Sequence, residues 1–322
     1  MRVLITGGGG FLGQKLACAL GQSGRLRGQK IAALTLADIA APACPDMPFP
    51  VTGVACNVAA AGDVQTLMAQ PFDVIFHLAA IVSGQAEADF DLGLQVNLFG
   101  TLHLLQAARA AGNCPVVVYA SSIAAHGGEE PEVIVDGVEL NPQTSYGTQK
   151  VMGELLLNDM SRRGMVDGRG LRLPTVSIRP GRANAAASSF MSSIFRDTMQ
   201  GDTSNCPVAK DYPIYHTAPR TVIANLIHAA NLDGAAFGPN RCINLPGRSD
   251  TVAEMIAAMT CVAGAEPANR ITWNPDPTIQ AIVKGWRGHV RPEKAQRLGF
   301  VTDASFADTV RWFLADDIAK AS

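Results

Sequence analysis

The chain has 322 residues, a formal net charge of −2 and 6% aromatic residues, long enough for a sizeable core and for two domains or one large domain with an appended lobe. Without a basic run it lacks an electrostatic footprint for nucleic acid, and no apolar run approaches the roughly 18 residues of a membrane span, so the expected partner is a small molecule, with no nucleic acid and no membrane. Seven scattered cysteines, odd in number and free of C-x-x-C, read as buried thiols rather than disulfides or a zinc site, and no metal is expected.

"MRVLIT" opens the chain as a strand, without the regions of a signal peptide, which points to the cytoplasm. It runs into the glycine turn "GGGGFLG" and then the helical "GQKLACALGQ". The glycines satisfy both Gly8-x-Gly10-x-x-Gly13 and Gly7-x-x-Gly10-x-x-Gly13 in the strand, turn, helix context that a dinucleotide site demands. Gly7, Gly10 and Gly13, with Phe11 and Leu12 between them, are expected to bring a pyrophosphate against the helix N-terminus, where free N–H groups favour an anion. The next strand, "IAALTLAD", ends on Asp38, placed to accept hydrogen bonds from the adenosine ribose and to repel a 2′-phosphate. No arginine follows in "IAAP", so NAD is expected rather than NADP.

Strand candidates "FPVTGVA", "FDVIFHLAA", "PVVVYASS" and "PTVSIRP" follow, several apolar on both faces as strands between helix layers must be. Among them lie "GDVQTLMAQ", the long "FDLGLQVNLFGTLHLLQAARAAG" and "SYGTQKVMGELLLNDMSRRG". This is the rhythm of a doubly wound parallel α/β sheet of Rossmann type. Beyond 180 the rhythm breaks, "RCINLP" and "RITW" falling among short helices and Pro-rich loops, while "APRTVIANLIHAANL" reads as a helix returning to the first domain. The expected division is a dinucleotide-binding domain of 1–180 plus about 213–238, and a smaller C-terminal α/β substrate lobe of about 181–212 and 239–322.

"SYGTQK" sets Tyr146 and Lys150 one turn apart on a helix face. Such a pair can be ordinary decoration. It can also be a proton-transfer device, because a phenol of pKa ~10 needs an adjacent cation to act as a base near neutrality, and two to three units of lowering correspond to roughly 3 to 4 kcal/mol.

With "TGGGGFLG", "FHLAA", "VNLFGT", "YASSIAAHG" and "SYGTQK" in this order, the chain resembles the extended branch of the short-chain dehydrogenase/reductase superfamily over essentially its whole length. The resemblance implies that Tyr146 is the general base or acid, that Lys150 depresses its pKa and binds the nicotinamide ribose, and that Ser122 hydrogen-bonds the reacting oxygen. Ser121 competes for that last role, but alternation along the strand aims it to the other face. Leu78, Ala79 and Ala80 match positions that pass close to the cofactor, and Pro180 is counted with them. Asn97 either holds a structural water near Lys150 or bonds backbone, and His77 reads as a packed strand histidine. Asn57 stands where relatives carry Asp, so adenine contact is expected from the Asn57 amide and the Val58 backbone. His126 has no evident role.

"RPGRANAAASSFMSSI", "HLAAIVSGQAEADFD", "GLRLPTVSIRPG" and "HTAPR" are similar to the D-erythronate dehydrogenase family, which implies oxidation of carbon 2 of a four-carbon sugar acid with NAD. Ser83, Ser122, Tyr146, Arg182, Asn184, Ser188 and Arg220 are of the right type to bind such an acid. Arg220 attracts notice as a cation in the opening turn of a helix, against the dipole. Alternatives are a nucleotide-sugar epimerase or dehydratase of the same branch, a catalytically silent NAD-binding protein, and a serine hydrolase using Ser122 and His126, which lacks the G-x-S-x-G turn. A homodimer is expected because Leu155, Leu156 and Leu157 cannot all face one sheet.

Overall fold

The computed structural model describes residues 1–181, 187–283 and 285–319. Its central sheet has seven strands: β1 (Arg2–Thr6), β2 (Ala33–Asp38), β3 (Val51–Ala55), β4 (Val74–His77), β5 (Val116–Ser122), β6 (Asp167–Leu173) and β7 (Cys242–Asn244). Their spatial order is β7-β6-β5-β4-β1-β2-β3, and β1 pairs in parallel with both β2 and β4, β2 with β3, and β4 with β5. The order reverses at β1, whose carboxyl end therefore opens on a crevice where ligands of such sheets bind. β4 is buried throughout and β5 almost so, because helices cover both sheet faces.

Those helices include α1 (Phe11–Ser23), α2 (Ala61–Leu67), α3 (Ser83–Ala88), α4 (Phe90–Gly93), α5 (Gly100–Ala111) and α6 (Ser145–Arg162). The long helix expected over 91–112 is interrupted. Between α4 and α5, Leu94–Phe99 winds as a π-helical segment. α6 starts where Thr144, as N-cap, accepts the Gly147 N–H at 3.1 Å.

By contacts the chain divides into two units, one of 1–125, 140–172 and 223–243, the other of 126–139, 173–222 and 244–322. In the first, Leu4, Ile75, Val117, Leu104 and Leu157 join one apolar core. In the second, Phe190, Phe195, Val252, Met255, Phe306 and Val310 form another. The expected first domain runs unbroken to 180. Residues 126–139 depart from that because Val133–Val135 pairs with His289–Arg291, in the second unit.

Two strands also differ from expectation. "PTVSIRP" is not the sixth strand of the central sheet; that place belongs to Asp167–Leu173, while Thr175–Val176 pairs with Pro213–Thr217 in a three-stranded sheet. "RCINLP", expected in the lobe, supplies β7 of the central sheet. Buried thiols hold for Cys56, Cys206 and Cys242, but Cys18, Cys44, Cys114 and Cys261 are exposed. Among the described residues no helix is long and apolar enough to cross a membrane, and no group of three His, Cys, Asp or Glu side chains could hold a metal ion.

Candidate active site

The turn from β1 into α1 is shaped by what glycine lacks. Gly7 has φ +72°, and a Cβ there would meet the Ala79 nitrogen at 2.8 Å and the Leu78 carbonyl carbon at 2.9 Å, so β1 and the end of β4 approach backbone to backbone. A Cβ on Gly13 would overlap the Gly7 carbonyl oxygen, which fixes the helix onto its own turn. Gly10 is the N-cap and contributes no side-chain cap, so the N–H groups of the first turn, those of Phe11 and Leu12 included, are open to an anion. Asp38 ends β2 beside this turn. Its Oδ2 accepts the Gly9 N–H at 2.9 Å and its Oδ1 the Ile39 N–H at 2.8 Å, which holds the carboxylate in place. An uncapped helix start, a cradle that side chains would fill and a fixed acid at the next strand's end fit a dinucleotide.

Around this cradle the structure revises some expected contacts. Leu78 and Ala79 are half-buried and Ala80 is exposed, the first two lying against Gly7. Asn57 turns its side-chain oxygen to the Ala59 N–H at 3.1 Å, and its own N–H donates to Asp63 at 2.9 Å. The Val58 carbonyl contacts the ring of His103 at 3.2 Å, and its side chain lies where a Cβ on Gly100 would be. Asn97 accepts the Ile81 N–H at 2.9 Å and donates to the Gln149 side chain at 2.8 Å, so it ties the segment after β4 to α6. Neither Gln149 nor Asp63 was singled out from the sequence.

α6 carries the Tyr and Lys pair. Lys150 is 2% exposed, its ammonium donates to the Ala120 carbonyl of β5 at 2.9 Å, and burial pushes its pKa down to about 8 against the raising influence of Glu154. Two tyrosine rings flank this ammonium, Tyr119 at 5.0 Å and Tyr146 at 5.5 Å from their centroids. The two differ in access. Tyr119 is buried beneath Gly153, where a Cβ would meet its hydroxyl at 2.6 Å, and burial holds its phenol well above the ordinary range. Tyr146 is only half-buried. Of the pair, Tyr146 is the one a substrate can reach.

The first turn of α6 lies on the turn that follows β5, so tightly that a Cβ on Gly147 would overlap the Ala124 carbonyl oxygen. Ser122 sits at that junction, half-buried, its oxygen accepting the Ala124 N–H at 3.1 Å. Ser121 is buried and donates to Glu154 at 2.5 Å, so the two serines serve different faces of the strand. His77 contacts Thr6 at 2.7 Å and Thr101 at 3.0 Å through its two ring nitrogens and stacks on Tyr119, and burial first, then Lys150, drives its pKa to about 3. It is a neutral packing residue at any working pH.

The described substrate candidates belong to both units. Ser83 begins α3, half-buried. Pro180 and Ser188 belong to the second unit, where Ser188 accepts from the Arg179 guanidinium at 3.2 and 3.3 Å, an arginine the sequence reading passed over. Arg182 and Asn184 lie outside the described residues. Arg220 needs correction. Asp316 closes on its guanidinium with two bonds of 2.7 and 2.6 Å and Trp312 lies 5.5 Å away, so a carboxylate of the chain itself already balances the cation that seemed to oppose the dipole. His126 is buried, 2.9 Å from the Asn244 side chain and 3.3 Å from Glu130, which commits it to the second unit's own packing.

Residues 3–217 match the NAD-dependent epimerase/dehydratase family. The chain belongs to that family. It is 47% identical to a D-erythronate dehydrogenase of Cupriavidus necator over 98% of both chains, and 41% identical to a D-erythronate dehydrogenase of Haemophilus influenzae over 99% of this chain and 100% of that one. These full-length relationships place it among the dehydrogenases of the epimerase/dehydratase family. Among solved structures, the nucleoside-diphosphate-sugar epimerase of Agrobacterium tumefaciens superposes with a TM-score of 0.94 at 41% identity, covering 99% of this chain and 95% of that one. A GalE-like L-threonine dehydrogenase of Cupriavidus necator, at 23% identity and a TM-score of 0.84, shares the fold.

Proposed function

We propose that the chain is an NAD-dependent dehydrogenase that oxidises the carbon-2 hydroxyl of a small sugar acid, D-erythronate in the first instance, to the 2-oxo acid. The observation that supports this best is the accessible Tyr146 paired along α6 with a buried Lys150 ammonium, in a chain 47% identical from end to end to a D-erythronate dehydrogenase. In this reading the Tyr146 oxygen takes the hydroxyl proton, the Lys150 charge favours the phenolate that accepts it, and the Ser122 hydroxyl holds the reacting oxygen in line. Bound NAD supplies the hydride acceptor. Gly7, Gly10, Gly13 and the opening turn of α1 would hold its pyrophosphate, Asp38 the adenosine ribose and Lys150 the nicotinamide ribose. Ser83 and Ser188, with Arg182 and Asn184, stay as candidates for the acid's own oxygens. Arg220 is withdrawn from that set.

A panel of tetronic acids supplied with NAD tests the proposal: NADH should accumulate with D-erythronate and not with nucleotide sugars. The solved relative named as a nucleoside-diphosphate-sugar epimerase favours a second reading, in which a nucleotide sugar is consumed without net NADH. Turnover of the nucleotide sugar alone would establish that reading instead.

Asp38 leads to a further expectation. Its fixed carboxylate should make NAD bind at least tenfold more tightly than NADP, a difference of ~1.4 kcal/mol. In Asp38→Ala the gap should narrow, because repulsion of the 2′-phosphate is gone and the Gly9 N–H it held is released. Equal calorimetric affinities in the unaltered protein would contradict the assignment.

We also propose a homodimer. Leu157 is 1% exposed while Leu155 is 63% exposed, and Met152 with Phe90 and Leu92 of α4 adds to the apolar surface. Patches of this kind on soluble proteins mark association sites. Sedimentation at micromolar concentration should give twice the chain mass, and Leu155→Glu should shift the species to monomer.

A further inference from the structure

Glu154 lies one turn beyond Lys150 on α6, continuing the Tyr146, Lys150 face, and is 2% exposed. Its Oε1 accepts the Ser121 hydroxyl at 2.5 Å and the Arg172 Nε at 2.9 Å, and its Oε2 accepts the Arg172 Nε at 3.1 Å and Nη2 at 2.6 Å. Arg172 is on β6, so this one carboxylate joins the helix to two neighbouring strands. Ser121 is also the residue between Ala120, whose carbonyl seats the Lys150 ammonium, and Ser122. Successive residues of β5 are therefore pinned to α6 at two points four residues apart on the helix.

We infer that Glu154 is a positioning residue for Lys150: clamped by Ser121 and Arg172, its carboxylate keeps the buried ammonium charged and seated on the Ala120 carbonyl. Stability alone does not account for the arrangement, since buried ion pairs are commonly no more stabilising than apolar residues of the same volume. The position of the charge does. Among the described residues Tyr119, Tyr146, His77 and Glu154 are the titratable groups facing Lys150 from β5, α6 and β4, with the Arg172 cation of β6 bound to Glu154. His77 is neutral and Tyr119 is held protonated, so neither offsets the cost of burying the cation. Glu154 is the group whose field opposes that cost. A neutral amine there would neither stabilise a phenolate nor hold its bond to a carbonyl as strongly.

The inference rests on the reading of Lys150 as the partner of Tyr146, but its primary test does not use activity. Lysine side chains labelled with carbon-13 at Cε are titrated by NMR in the apoenzyme, with the Lys150 signal assigned by its loss in Lys150→Arg. In the unaltered protein Lys150 should titrate near pH 8. The double variant Glu154→Gln with Arg172→Gln, which removes the carboxylate without stranding the guanidinium bound to it, should weaken its proton affinity about tenfold, and Ser121→Ala by a smaller factor of about two. Glu154→Asp should restore much of the loss. In turnover, the alkaline limb of kcat/KM should move to lower pH by the same factor in each variant while KM for the acid stays near its original value. An unshifted Lys150 titration in the folded double variant overturns the inference. If that variant does not fold, an unshifted titration in Ser121→Ala does so. Failure of Tyr146 as the base would appear separately, as undiminished turnover in Tyr146→Phe with the lysine shifts intact.

Discussion

Tyr146→Phe should lower turnover by roughly 10²-fold or more, the usual scale for loss of a general base, while NAD affinity stays close to that of the unaltered protein. The ring remains to pack near Lys150, so the change removes one oxygen and little else. The two-tyrosine environment sharpens the test. Tyr119 is also within cation–π distance of Lys150, yet it is buried and its phenol is held well above the ordinary range. It should not substitute. Oxidation rate in the unaltered enzyme should rise with pH through an apparent pKa below the free-tyrosine value of ~10, and that inflection should vanish from the residual activity of the variant. A Phe variant with near-normal turnover would reduce the Tyr146 and Lys150 spacing to helix decoration.

Lys150→Met should separate stability from activity. The lysine's pKa is about 8 in the fold, against an ordinary value of about 10.5. Below pH 8 both folded and unfolded chains carry the proton, and the whole cost of burying the ammonium is present. Between pH 8 and about 10.5 the unfolded chain binds more protons than the folded one, so stability should rise with pH across that window. The cost at pH 7 is of the order of ~3 kcal/mol at 1.36 kcal/mol per unit. Methionine keeps the length of the side chain without its charge. The variant apoenzyme should therefore melt at a higher temperature than the unaltered protein at pH 7, and should lose the rise in stability above pH 8. Turnover should collapse, and NAD affinity should fall with it because a ribose hydrogen-bond donor is gone. A melting temperature lowered at pH 7 would show that the ammonium is not the strained element this geometry describes.

The parts of the molecule legible in the sequence are those written in local patterns. The glycine turn, the acid ending β2 and the Tyr146, Lys150 spacing each lie within a few residues of the elements that position them. β6 was not legible because Arg169 stands in its middle. That residue is fully buried, with its guanidinium bound to Asp167 and to the carbonyls of Ala229 and Leu232, and an arginine satisfied this way leaves no trace in an apolar pattern. The same holds for the site. Glu154 continues a helix face and could have been noticed by its spacing, but its meaning depends on Ser121 and Arg172, which only the sheet brings together. Arg220 misled for the converse reason: its partner, Asp316, is 96 residues away along the chain.

The π-helical segment at Leu94–Phe99 has a consequence for which insertions and deletions the protein can accept. A π turn holds one residue more than an α turn, so it acts as a phase shift between the helix before it and the helix after it. Before the shift, Gly93 is packed on Gln149 and Ala86; after it, Gly100 is packed on Val58, and Thr101 meets His77. Both halves are locked by glycines that admit no side chain. Rewinding this stretch as a regular α-helix with all its residues kept would rotate one half by about 100° against the other, at 3.6 residues per turn, and bring side chains onto one of the two glycine contacts, whereas removing one residue as it rewinds would leave both halves in phase. A one-residue deletion within 94–99 that spares Asn97, with its bonds to Ile81 and Gln149, should therefore be accepted, while a deletion in the α-helical turns on either side should break a glycine contact.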